Sequence, residues 1–224
     1  MEKVNYLEEI LPFWKSLLQS EKEELVQNSS IAQYDQGEIV HVKNAECTGI
    51  LIVINGAFRS YIAAPSGREI TLFKLYERDI CMLSAACVFS NITYDINLCA
   101  IEEAKAIIIE STTFKALAQK NSAVLEFLLY ITQSKLSDVM YTLEQAIFFP
   151  LDYRIAQFLY EQSLISETND LELIHEMIAN HLGSSREVVS RILKKFEKEG
   201  LVTLTRGHIK IKDSGQLLDK IKKG

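Results

Sequence analysis

The sequence predicts an α+β chain in three parts. These are a double-stranded β-helix or jelly roll over residues 1–121, one long helix over 122–148, and a winged helix-turn-helix over 149–224. Three observations predict it. Short β-rich runs broken by Gly and Pro fill Ile31 to Ile109. A heptad-like apolar seam then runs without a breaker to Phe148. Near the C-terminus, two amphipathic stretches flank a glycine and are followed by a hairpin pattern.

Residues 1–28 read as helical, with Leu7, Ile10, Leu11, Trp14, Leu17 and Leu18 recurring every three or four positions. The β region follows, in runs such as Glu38 to Val42, Ile50 to Ile54, Phe58 to Ala63 and Ile70 to Leu75. They are separated by Gly37, Gly49, Gly56 and Pro65-Ser66-Gly67. Six to eight short strands at this spacing make a sandwich or a roll. In the long helix, Leu125, Leu129, Thr132, Leu136, Val139, Leu143 and Ala146 alternate steps of four and three. A seam of this length needs a partner, either the chain's own β region or, the favoured reading, a second copy. Phe148-Phe149-Pro150 ends it, because proline lacks the N–H and disfavours helix at the preceding residue. An amphipathic helix restarts at Leu151, with Ile155, Phe158 and Leu159 on one side.

From His175 the residues fit a helix-turn-helix. Ala179 sits where two helices cross, Gly183 takes the turn, and Ile178, Leu182, Val189 and Ile192 hold the angle. The second helix, about Ser185 to Glu199, groups Arg186, Glu187, Ser190 and Arg191 opposite Val189, Ile192 and Phe196. Arginine can grip guanine O6 and N7 with two hydrogen bonds, and glutamate can accept from cytosine N4, so these residues are base-reading candidates. Glu187 has a second reading, a capping box with Ser184. Ser184 and Ser185 can cap the helix or touch phosphate, and Lys194, Lys195 and Lys198 suit phosphate or a solvated face. Leu201 to Leu204 and His208 to Lys212 flank Thr205-Arg206-Gly207, which places Arg206 at a wing tip beside the phosphate backbone.

Charge agrees with this division. The whole chain of 224 residues carries −6, yet residues 182–224 hold 11 basic and 5 acidic side chains. Binding to a polyanion depends on the local face and not on the total. With 48% hydrophobic residues the chain can bury a core, and no apolar run approaches the ~20 residues of a membrane span. Four cysteines without a secretion signal imply reduced thiols and a cytoplasmic protein. The motifs Gly-x-x-x-x-Gly-Lys, Gly-x-Ser-x-Gly and His-Glu-x-x-His do not occur, which points away from an enzyme.

Together these parts resemble the Crp/Fnr family of bacterial transcription regulators. The resemblance is strongest in Leu182-Gly183-Ser184-Ser185-Arg186-Glu187-Val188-Val189-Ser190-Arg191-Ile192-Leu193, with Phe196 and Gly200-Leu201-Val202 after it. Asp152-Tyr153-Arg154-Ile155-Ala156 also looks like the family's first DNA-domain helix. The resemblance implies a cyclic-nucleotide-binding-like sensor, base contacts at Arg186, Glu187 and Arg191, and RNA polymerase as a partner. It also implies inverted half-sites near TGTGA or TTGTGA, roughly one helical turn apart on double-stranded DNA. Arg186 resembles the cyclic-AMP receptor branch, and Ser190 the oxygen-sensing branch.

The family's phosphate cassette is absent. No arginine follows Arg78 in the stretch through Asp95, and Tyr94-Asp95 stands near where Arg-Ser or Arg-Thr should be. A cyclic phosphate needs a cation, and Asp95 would repel it. The effector-contacting candidates are therefore Leu83, Ser84 and Tyr94, with Leu136, Val139 and Met140 from the long helix. Val139 and Met140 cannot hydrogen-bond an adenine through their side chains, so the small-molecule effector is expected to be other than cyclic AMP. Cys47, Cys81, Cys87 and Cys99 lack compact cluster spacing and read first as small buried hydrophobes. An iron–sulfur cluster, a haem and thiol redox sensing remain alternatives for them. His41 reads as structural, and His175, His181 and His208 have no metal-ligand spacing. A competing function is an effector-binding module that regulates a protein partner through the winged helix.

Overall fold

The structure is a computed structural model that describes residues 2–41, 49–81 and 96–222. Leu83, Ser84, Tyr94, Cys47 and Cys87 lie outside the described residues. The chain forms two compact units, Met1–Ile62 with Leu72–Val139 and Ala63–Thr71 with Met140–Gly224.

The first unit opens with helix α1 (Glu2–Ile10), a 3₁₀ turn (Trp14–Ser16) and α2 (Gln19–Gln27). The continuous helical reading of residues 1–28 is thus interrupted. Pro12 restricts Leu11, and the Glu21 carboxylate accepts the Leu18 N–H to start α2 afresh. Leu18, placed by periodicity on the apolar side, is consequently 67% exposed as a cap residue.

Strands β1 (Ser29–Tyr34), β2 (Ile39–His41), β3 (Ile50–Asn55), β4 (Phe58–Ala63), β5 (Glu69–Leu75), β6 (Ile80–Cys81), β7 (Asn97–Ala100) and β8 (Ala104–Ile109) follow. They form two four-stranded antiparallel sheets, ordered β1-β8-β3-β6 and β2-β7-β4-β5. The first sheet is buried on both faces, which explains why β3 is apolar throughout instead of alternating. Ile50 and Ile52 join Ile107, Ile109, Leu7, Trp14 and Leu25 on the helical side. Leu51 and Val53 join Phe58, Phe73, Leu75 and Leu98 between the sheets.

After β8 come α3 (Ser111–Lys120), which the apolar pattern did not reveal, and α4 (Ser122–Phe148). Val124 and Leu128 of α4 are buried in the helical-side core, and Val139 packs against the inter-sheet core. The seam residues Leu125, Leu129, Leu136 and Leu143 are open to solvent, at 44%, 52%, 59% and 47%. Packing on the chain's own β region therefore accounts for Val139 and not for the leucine seam. Compactness divides the chain inside α4, before the Phe149-Pro150 break, because Tyr141 Oη already meets Gln157 Nε2 of the next helix at 2.5 Å.

The second unit holds α5 (Leu151–Ile165), β9 (Asp170–Glu172), α6 (His175–Leu182), α7 (Arg186–Lys198), β10 (Val202–Thr205), β11 (His208–Ile211) and α8 (Ser214–Lys222). Its sheet order is β10-β11-β9, so the wing has a third strand beyond the hairpin read from sequence. Ile155, Leu159, Ile178, Leu182, Val189, Leu193, Phe196, Ile209 and Leu217 share one core.

Gly56 turns β3 into β4 at φ +76°, and a Cβ there would collide with the Glu103 carbonyl oxygen. Gly56→Ala should cost at least about 2 kcal/mol, from left-handed strain plus displaced backbone. Gly67→Ala, at a turn with open space and φ +79°, should cost less. Equal denaturation midpoints for the two variants would contradict this account.

Candidate nucleic-acid interface

Helix α6 ends where Gly183 adopts the left-handed conformation, φ 71° and ψ 32°. The N–H of Ser184 donates back to the Ala179 carbonyl at 3.0 Å. Ala179 and Ile178 are buried at the crossing, as the small-residue and apolar pattern required. On α7 the buried face is Val189, Leu193 and Phe196, whereas Ile192 is only partly buried. Leu193 therefore takes the core position that sequence reading gave to Ile192. The reason is geometric: steps of four and three from Val189 pass through Leu193.

The start of α7 corrects the capping reading. Ser185 is the N-cap, its hydroxyl accepting from Val188 N–H at 3.4 Å. The third helical position is thus Val188, and a capping box between Ser184 and Glu187 does not form. The Glu187 carboxyl is held below the usual carboxylate range, first by a bond from its own backbone N–H and then by the Ser185 hydroxyl. An anion at the positive end of α7 is favourable, and Glu187 is exposed there.

Glu187, Ser190, Arg191, Lys194, Lys195 and Lys198 line one shallow groove of about 660 Å³ along α7. Arg191 is exposed on it and Ser190 is partly buried, while Arg186 is exposed at the start of α7, outside this lining. Lys195 also reaches Asp152 and Glu199, each at 3.9 Å, so part of its charge is shared with carboxylates. Arg206 is exposed at the hairpin tip, where Thr205 pairs with His208 and Gly207 takes φ +81°. Of the six effector candidates, Val139 lies on the β-roll core, Leu136 and Met140 lie on the open face of α4, and the other three lie outside the described residues.

Two residues of this unit were missed as participants. Arg154 of α5 donates from Nη2 to the Leu182 carbonyl at 2.8 Å, tying a cation to the last carbonyl of α6. Its Nε is buried without a partner, and burial lowers its pKa. Only the family resemblance singles out this position, since one arginine in an amphipathic helix carries no signal of its own. His175, the first residue of α6, has a depressed pKa through burial, then Arg186, then Lys194. It therefore stands within the field of the α7 cations Arg186 and Lys194. Among the described residues, no cluster of three or more His, Cys, Asp or Glu is arranged to hold a metal ion, and no helix is long and apolar enough to cross a membrane.

A profile of the Crp-like helix-turn-helix domain matches residues 153–220. A profile of the cyclic nucleotide-binding domain matches residues 31–121. Among solved structures, the chain is similar to a protein from Eubacterium rectale described as a transcriptional regulator of the Crp/Fnr family. That match has 38% identity over 96% of this chain and 99% of the other, with a TM-score of 0.92. It is also similar in fold to the c-di-GMP-responsive global regulator CLP of Xanthomonas campestris (19% identity, 86% and 98% coverage, TM-score 0.73). A CooA variant from Carboxydothermus hydrogenoformans shares the fold as well (21%, 93% and 94%, TM-score 0.64). No curated protein sequence matches the chain.

The His175 environment has a pH consequence. Folding lowers this pKa from 6.5, so below that value the unfolded chain binds more protons than the folded one. The neutral imidazole's contribution is complete above about pH 6.5 and is lost as pH falls through it. The wild-type melting temperature should therefore fall more between about pH 7.5 and about pH 5.5 than that of His175→Gln. A constant gap between the two across that range would refute the assignment.

Proposed function

The chain belongs to the Crp/Fnr family of transcriptional regulators, and from that premise we propose that it is a homodimeric, sequence-specific DNA-binding regulator governed by a small molecule in its β-roll. The observation that carries this reading is the exposed face of α7, where Glu187, Ser190 and Arg191 precede Lys194 on one groove and Arg186 stands exposed at the helix start. Arg186, Glu187 and Arg191 read base edges in the major groove, Ser190 adds a short hydroxyl, and Lys194 neutralises phosphate. Ser184 and Ser185 lie at the helix start beside the phosphate backbone, and Arg206 reaches it from the wing.

The working parts are a sensor over 1–121, a dimerisation helix over 122–148 and a reading head over 149–224. Leu125, Leu129, Leu136 and Leu143 supply the dimer seam, since an open leucine stripe of this length is stable only when covered. A two-fold partner would present two recognition helices to inverted half-sites one helical turn apart. RNA polymerase is the downstream partner, and the cytoplasm is where such a regulator works.

Cyclic AMP does not fit the residues described. Val139, the α4 side chain packed on the inter-sheet core, has no polar atom to offer an adenine. The sequence supplies no arginine between Arg78 and Asp95 for the phosphate. The effector is therefore of another kind, met by Val139 together with Leu83, Ser84, Tyr94, Leu136 and Met140.

Footprinting on a selected operator should show two protected half-sites related by a dyad. Arg191→Ala should cost about 1–3 kcal/mol at the base pair it reads, with the loss confined to that position. Leu136→Glu should yield a monomer in sedimentation and abolish the two-fold footprint. Protection without dyad symmetry would overturn the reading, as would uniform weakening by Arg191→Ala across unrelated sequences.

A further inference from the structure

Strand β10 is an edge of the three-stranded sheet, paired with β11 on one side only. The Leu201 carbonyl accepts Lys212 N–H at 2.9 Å, which makes that pair a hydrogen-bonded one. In an antiparallel ladder such pairs alternate, so Thr203 and Thr205 point their backbone groups at β11 and Leu204 points its N–H away. That outward N–H is taken by Glu197 Oε1 of the recognition helix, at 3.0 Å. The bond fastens the wing strand to α7 just before the turn that carries Arg206.

Glu197 stands exposed on a helix whose outward face is otherwise rich in Lys194, Lys195 and Lys198. A carboxylate there opposes a polyanion, so its electrostatic effect on DNA binding is unfavourable. What it contributes is geometric. We propose that Glu197 is a positioning residue for DNA binding, which sets the angle of the wing on α7 so that Arg206 meets the phosphate backbone while α7 occupies the groove. This rests on the reading that α7 and the wing tip contact the same duplex.

The test separates the charge from the hydrogen bond. Glu197→Gln removes the charge and keeps an acceptor, whereas Glu197→Ala removes both. Affinity of the full-length protein is measured by fluorescence anisotropy at low salt, on a duplex carrying two inverted TGTGA half-sites. Glu197→Gln should bind at least as tightly as wild type, and Glu197→Ala about 5-fold more weakly than Glu197→Gln. In an Arg206→Ala background the two substitutions should become equivalent, because the contact they position is gone. Exchange of the Leu204 amide should be faster in Glu197→Ala than in Glu197→Gln, with similar melting temperatures. If Arg206→Ala weakens binding while the Ala and Gln variants at 197 bind alike, the inference is wrong and the wing contact stands. If the Ala/Gln difference persists in the Arg206→Ala background, Glu197 acts elsewhere and the inference is also wrong. If Arg206→Ala changes nothing, or wild type retains no duplex, the DNA reading of the wing falls and the inference falls with it.

Discussion

Val124 and Leu128 are buried against their own unit's core, while Leu125, Leu129, Leu136 and Leu143 on another side of the same helix are open. Helix α4 thus has two apolar demands and can meet only one within a single chain. Covering a half-exposed leucine is worth roughly 1–2 kcal/mol, so one protomer leaves several kcal/mol unrealised along this seam. A globular chain seldom leaves such a stripe open without a use for it. The inner contacts give the helix its place: Val124 and Leu128 anchor its first turns and Val139 rests on the β-roll. With the inner face anchored, the outer face is presented at a defined rotation, which a coiled-coil seam requires of each strand.

The second unit solves an electrostatic problem on a small scaffold. Helix α7 holds Lys194, Lys195 and Lys198 close together and still has to fold. The carboxylates distributed around it serve that end. Asp152 and Glu199 share Lys195, and Lys220 of α8 joins them at 3.9 and 3.5 Å. Lys220 also lies over the Phe196 ring at 5.0 Å, which ties the carboxylates to the apolar core through its stem. Exposed pairs at these distances contribute little individually. Their effect is to lower the repulsion around Lys194 and Lys198 without placing a carboxylate in the groove, apart from Glu187. The exception has its carboxyl held below the usual range by its own backbone N–H and the Ser185 hydroxyl.

Elements with long or sharp signals were legible in the sequence. The seam and Pro150 gave α4 its bounds, and Ala179 with Gly183 gave the turn its geometry. The hairpin around Arg206 was equally plain, because only a glycine makes its φ inexpensive. What escaped was too short or too contextual to leave a pattern. Strand β9 has three residues, fewer than a period-two reading can use. The Arg154 bond to Leu182 depends on the packing of α5 under α6, and neither residue marks the other in sequence. The cap at Ser185 instead of Ser184 turns on where the chain leaves the left-handed Gly183, a difference of one residue that composition cannot resolve. Leu18 shows the opposite failure, since its periodicity was correct but Pro12 had already ended the helix to which that periodicity belonged.

A packed and an open apolar face meet on the same two turns of α4. Val139 packs on the inter-sheet core, while Leu136 and Met140, three residues before it and one after, stand on the open side. On a helix, positions three and four apart are stacked neighbours, so a shift that re-seats Val139 carries Leu136 and Met140 with it. An effector biases such a helix only by binding its two settings unequally, and a contact made through Val139 alone supplies a packing difference without a polar one. In the function proposed above, the β-roll recognises the effector and α4 transmits its presence. The side chains of Val139 and Met140 are apolar, so a movement of this kind would break no side-chain hydrogen bond at either position.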